Sequence, residues 1–132
     1  MSELIDHGPL AYRSEGRLLT IVVRGAPDEL DRARFFRAIA EDPNVPDGAV
    51  VLIDGSRSDQ AASVVDLRER ASRLVALLGP KLGPVVAVIA PPRLAMDAAV
   101  FQVTSRRIGL QVAVFADELS ARDYLRAHVD AP

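Results

Sequence analysis

The sequence has no cysteine, no tryptophan and only two histidines in its 132 residues. Without thiols there is no disulfide framework, no thiolate nucleophile and no cysteine-based zinc site. His7 and His128 lie near the two ends, outside any recognisable motif. A general base needs fixed geometry before a suitable pKa, so neither is nominated and solvated side chains are expected. No metal site is expected from His or Cys clusters, although an oxygen-ligated ion stays open. No apolar run is long enough to span a bilayer, so no membrane insertion is expected. The start, Met1-Ser2-Glu3-Leu4-Ile5-Asp6, has acids where a signal peptide has a basic stretch. A soluble, cytoplasmic chain is the expectation. Lysine is nearly absent, Lys81 being the only one, and the arginines are scattered among acids for a net charge of −2. Nucleic-acid binding draws on clustered cations, so that partner is excluded. No HExxH, GxGxxG, nucleophile elbow or phosphate loop occurs. Gly79-Pro80-Lys81-Leu82-Gly83 has glycine and lysine but ends a helix, the wrong context for a phosphate cradle. No catalytic residue is nominated, no cofactor is expected, and the chain reads as a non-enzyme.

What is present is a core. Apolar residues make up 49% of the chain, enough for one ordinary domain over residues 1–132. Leu10–Arg13 and Arg17–Arg24 flank the turn-rich Ser14-Glu15-Gly16 and predict a β-hairpin, with Leu19, Ile21 and Val23 on one face. Pro27-Asp28-Glu29 opens a helix with acids at its positive end. Leu30, Ala33, Phe36 and Ile39/Ala40 recur on that helix at helical spacing, and Asp42-Pro43 stops it. Ala49–Ile53 and Val85–Ala90 are continuous apolar runs, as in strands buried on both faces. The runs Val50–Ile53 and Val85–Ile89 are expected as neighbouring parallel strands. Between them Val64, Leu67, Ala71, Leu74, Val75 and Leu78 form a helical stripe, with Asp66/Arg70 and Glu69/Arg73 as i,i+4 pairs on its solvent side. A third helix is expected from about Leu94 to Ile108, then a strand at Val112–Phe115, and a last helix capped by Asp117. The order β-β-α-β-α-β-α-β-α predicts an α/β fold with a mixed sheet of about five strands and about four helices.

With that layout in view, the chain resembles the STAS-like fold, in its SpoIIAA-like branch. The residues carrying the resemblance are Arg17–Ile21, Val50-Val51-Leu52-Ile53-Asp54, Val85–Ala90, Phe101-Gln102-Val103, Val112–Asp117 and Tyr124-Leu125. The resemblance implies a regulatory or protein-interaction module working by recognition, without covalent chemistry. It also implies, in some relatives, room for an apolar ligand between helices and sheet. In anti-sigma antagonists a phosphorylatable serine stands in Asp-Ser-Ser-Gly at a helix start. Spacing from Asp54 brings that position to Ser63, but Ala61-Ala62-Ser63-Val64 lacks the acid, second serine and glycine, so no simple serine switch is expected there.

Three segments are candidate sites. Asp54-Gly55-Ser56-Arg57-Ser58 leaves the carboxyl end of a central strand, where open α/β sheets bind ligands. As an anion loop it would use the glycine for close approach, helix-start amides and the Arg57 charge. As a plain turn it would use Ser58 or Asp59 only to cap the next helix. Pro92 and Arg93 follow another strand end and either wall a pocket there or stiffen a connection. On the third helix Met96, Val100 and Val103 lie roughly opposite Leu94, Ala98, Phe101 and Ile108. Such a helix either packs against a neighbour or meets a second apolar surface, and the expected use of the Met96 stripe is a homodimer contact. The readings are ordered accordingly: a STAS-like interaction module whose partner is itself or a regulatory protein, then a carrier or sensor of an apolar, lipid-like small molecule, then a small enzyme at the strand-end loops.

Overall fold

The computed structural model describes residues 3–58 and 64–129, with backbone alone at 64–68 and 129. Along the chain run β1 (Ile5–His7), β2 (Leu10–Glu15), β3 (Leu18–Gly25), α1 (Glu29–Ala40), β4 (Ala49–Ser58) and α2 (Val64–Leu78). Then follow β5 (Leu82–Ile89), α3 (Ala95–Arg106), β6 (Gln111–Phe115) and α4 (Glu118–Val129). The fold is α/β, and the sheet has six strands in sequential order rather than the five expected. β1 is the addition. Ile5-Asp6-His7 is too short and polar to be legible as a strand. It is held by antiparallel pairing with Leu10–Tyr12, by an Asp6–Arg24 ion pair at 3.2 Å and by His7 stacking on Tyr12.

Local chemistry explains the elements. Gly16, with φ +59°, makes the tight β2–β3 connection that an L side chain resists. α1 starts in a capping box: the Asp31 amide donates to Asp28 Oδ1 at 2.7 Å, and the Asp28 amide donates to Asp31 Oδ2 at 3.0 Å. α4 begins likewise at Asp117, whose carboxylate accepts from the Ser120 amide at 2.7 Å and hydroxyl at 3.0 Å. Those bonds hold the Asp117 carboxyl below the usual range.

β3, β4, β5 and β6 are parallel neighbours, and Val51–Asp54 pairs with Val86–Ile89. Their alternation divides the interior in two. Leu19, Ile21, Val51 and Val86 face Phe35, Ile39, Leu74 and Leu78 of α1 and α2. Val50, Leu52, Ala87 and Ile89 face Ala121 and Leu125 of α4. The continuous apolar runs thus have helices on both sides, as parallel strands require. The α1 stripe is phased differently from expectation. Phe35 and Ile39 are buried, while Leu30 is 55% exposed, because it lies about 140° around the helix from Phe35.

The amino ends of the parallel strands are tied by one polar network. The Tyr12 hydroxyl donates to Asp42 Oδ2 at 2.5 Å, while Lys81 Nζ donates to the carbonyls of Asp42 at 3.0 Å and Val45 at 2.5 Å. The chain's single lysine therefore joins the loop entering β4 to the turn entering β5. Burial, then the Asp42 carboxylate, push Tyr12 up to about 12, and the phenol in turn holds Asp42 below its ordinary range. Asp42 contributes stability above the ordinary carboxylate pKa, and that contribution fades as pH falls through its lowered value. Tyr12 contributes stability below pH 10, lost as pH rises toward 12. Tyr12→Phe is expected to lower unfolding free energy at neutral pH by about 1.5 kcal/mol, with less effect once acid has protonated Asp42. Urea melts across that range check it.

Candidate ligand cavity at the carboxyl ends of the strands

The candidate site lies at the opposite end of the sheet. Between the sheet and α1, α2 and α3 is a cavity of about 180 Å³. Its floor is Ile21 and Val23 of β3, Ile53 of β4 and Val88 of β5. Its helical wall is Phe36 of α1, Leu74 of α2, and Ala98 and Phe101 of α3. Arg32, Arg70 and Asp97 also line it, one from each helix and each half-buried. In doubly wound sheets a ligand sits where helices part to opposite faces. Here the strand order never reverses, so the opening lies beneath three helices on one face.

The segment expected as an anion loop has another structure. Asp54–Ser58 continues β4, because β3 runs on to Gly25 and supplies pairing partners through Ser58. Between Val22↔Asp54 and Arg24↔Arg57, β4 advances three residues against two on β3, which is a bulge. The Ser56 amide and hydroxyl both donate to Asp54 Oδ1, at 3.0 and 2.6 Å, so the bulge is closed on itself. Ser56 and Arg57 are exposed, and neither lines the cavity. Gly55 and Ser58 do line it. A Cβ on Gly55 would stand 3.0 Å from the Ile89 carbonyl oxygen, so glycine lets β4 stay beside the end of β5. Ser58 ends β4, and α2 is described from Val64. Asp59 and Ser63 lie outside the described residues.

Neither Pro92 nor Arg93 lines the cavity, and both are exposed. The Arg93 guanidinium donates to the Ser58 carbonyl, and Pro92 begins a short 3-10 turn leading to Leu94 at the cavity edge. On α3, Ala98 is buried and Phe101 half-buried toward the sheet. Met96 is 76% and Val103 54% exposed, with Val100 half-buried. Ile108 falls beyond the end of α3 and is exposed, unlike the rest of its expected stripe. His7 is exposed as expected, with its ring near Tyr12 and Phe35, while His128 is half-buried on the Tyr124 ring at 4.6 Å with Nδ1 2.9 Å from the Tyr124 carbonyl. Among the described residues no group of three or more His, Asp or Glu is placed to hold a metal, and no helix is long and apolar enough to cross a membrane.

Arg32 and Arg70 were not legible as cavity residues. Arg32 lies about 60° around α1 from Phe35, on the inward side. Arg70 stands one turn before the buried Leu74, rather than on the solvent side. Arg73, the other arginine of that expected face, pairs with Glu29 of α1. An Arg directly preceding a buried i+4 leucine was the available signal. Comparison with known proteins found no matching family model, no matching curated protein and no matching solved structure. Gly55→Ala is expected to cost about 1–2 kcal/mol by overpacking against β5. Guanidinium denaturation should show a lower midpoint at unchanged slope.

Proposed function

We propose that the protein is a non-enzymatic recognition module that holds a small apolar molecule between its helices and its sheet. The cavity carries this reading: apolar side chains from β3, β4, β5, α1, α2 and α3 converge around about 180 Å³ beneath the helices. Such convergence in a concave site is the usual form of a small-molecule pocket. An apolar cavity of roughly 150 Å³ admits benzene, so the occupant is ring-sized or a short chain rather than a long acyl tail. Recognition without covalent chemistry is supported by the polar groups nearby. Asp54 is engaged by Ser56 and Arg93 by a backbone carbonyl, so these groups hold the scaffold together.

Toluene is the direct probe. Amide shifts on titration should concentrate at Val88–Ala90 and Ala98–Phe101 and saturate. Ala98→Leu, which fills the cavity, should abolish them while the remaining spectrum stays dispersed. Shifts that are absent, or scattered over the surface, would overturn the reading.

The exposed Met96 and Val103 favour a second reading on the same scaffold, a STAS-like interaction module that self-associates through α3. The hairpin followed by βα units is the order on which that resemblance rests. Val103→Asp should then reduce the sedimenting mass from dimer to monomer without loss of helicity. A wild-type chain that sediments as a monomer rules it out.

A further inference from the structure

The two edges of the sheet are finished differently. β1 is three residues long, and so short an edge offers little to pair with. β6 is five residues long, pairs with β5 alone and keeps continuous register with it. Gln111-Val112-Ala113-Val114-Phe115 holds no charged residue and no proline, the residues that usually blunt an edge. The Phe115 carbonyl accepts from the Ala90 amide at 3.0 Å, so Phe115 turns its backbone groups toward β5. Those groups alternate in direction along a strand, and Val112 and Val114 therefore turn theirs outward. Gln102 of α3 agrees with this. Its Nε2 donates to the Val112 carbonyl at 2.8 Å, in the place a neighbouring strand's amide would take. Among the described residues no other side chain bonds to the outward backbone of Val112 or Val114.

This open edge borders a groove of about 520 Å³. Gln102 and Arg106 of α3 line it from one face of the sheet and Tyr124 of α4 from the other, with Leu110–Ala113 between. An edge reached between two helices admits a single extended chain more readily than a second copy carrying helices of its own. Arg106 is the one charged side chain lining the groove, and Arg107 stands exposed beside it at the amino end of β6. Neither is ion-paired among the described residues, and Asp123, next to Tyr124, is engaged by Arg126 at 3.5 Å. We infer that β6 is the docking edge for an extended acidic segment of a partner protein, which adds a strand to the sheet and sets a carboxylate against Arg106 and Arg107. Backbone pairing at Val112 and Val114 supplies affinity in such strand addition, and side chains supply selectivity. Guanidinium groups suit a carboxylate through planar, two-bond contact. The groove shares no lining residue with the apolar cavity, so the two readings stand or fall separately.

The probe is a displayed library of random octapeptides selected against the intact chain, followed by NMR with the enriched peptide. Enrichment of alternating Val, Ile or Thr, with Asp or Glu at one end, is expected. On binding, the Val112 and Val114 amides should gain protection from hydrogen exchange. N-methylating one alternate set of peptide nitrogens should weaken binding at least tenfold and the other set far less, because only one set faces β6. Arg106→Glu should weaken binding at least tenfold with the spectrum of the free chain otherwise unchanged, and Arg106→Lys should retain most of it. A selection that yields no binder overturns the inference. So do binders indifferent to Arg106→Glu, or protection that falls elsewhere than Val112 and Val114. A wild-type chain that sediments as a dimer with those two amides already protected assigns the edge to a second copy and overturns it as well.

Discussion

Each crossover in this molecule, β3-α1-β4, β4-α2-β5 and β5-α3-β6, advances the chain by one strand in the same direction. Parallel connections are right-handed almost without exception, so repeated steps in one direction place every crossover helix on one face. That constraint organises the rest. α1, α2 and α3 must share the area over the sheet, while the other face of β4 and β5 is left for α4. The terminal helix is thus a structural necessity. Without it Val50, Leu52, Ala87 and Ile89 would present a broad apolar surface to water.

The two ends of this layered arrangement are finished differently. Toward the amino ends of the strands, Tyr12, Asp42 and Lys81 close the space with charge-assisted hydrogen bonds, and Phe35 fills it with rings on both sides. Toward the carboxyl ends Phe36 and Phe101 line the space without filling it. Ala98 and the glycine at 55 are small where the helices approach the sheet, and the bulge in β4 turns its backbone groups upon Asp54. A cavity forms at the end where side-chain volume runs short. The same shortage explains why charged side chains reach its edge: they extend from helix faces into space that larger apolar residues would have filled.

That arrangement has an energetic consequence. An unfilled apolar space forfeits dispersion contacts on its lining, at a cost that grows with its volume. A ligand that restores contacts inside relieves that cost. Binding energy would then appear as added stability, by mass action on the native state.

The pattern of residues by itself determined the class of the fold. Continuous runs at Val50–Ile53 and Val85–Ile89 have no solvent-compatible face, so they had to be interior parallel strands flanked by helices. The start of α1 near Asp28, the cap at Asp117 and the turn at Gly16 were local chemistry, legible without neighbours. The rest was decided by tertiary partners. β1 exists only because β2 offers it an edge and Tyr12 a ring. Asp54–Ser58 is strand rather than loop because β3 is long enough to pair with it. α1 turns Phe35 rather than Leu30 inward because adjacent phenylalanines permit either phase, and the ring contacts with Tyr12 and His7 select one. The candidate site belongs to this second group. Arg32, Arg70 and Asp97 are far apart in sequence and unremarkable in pattern, and only the packing of three helices on one face of the sheet brings them to a single cavity.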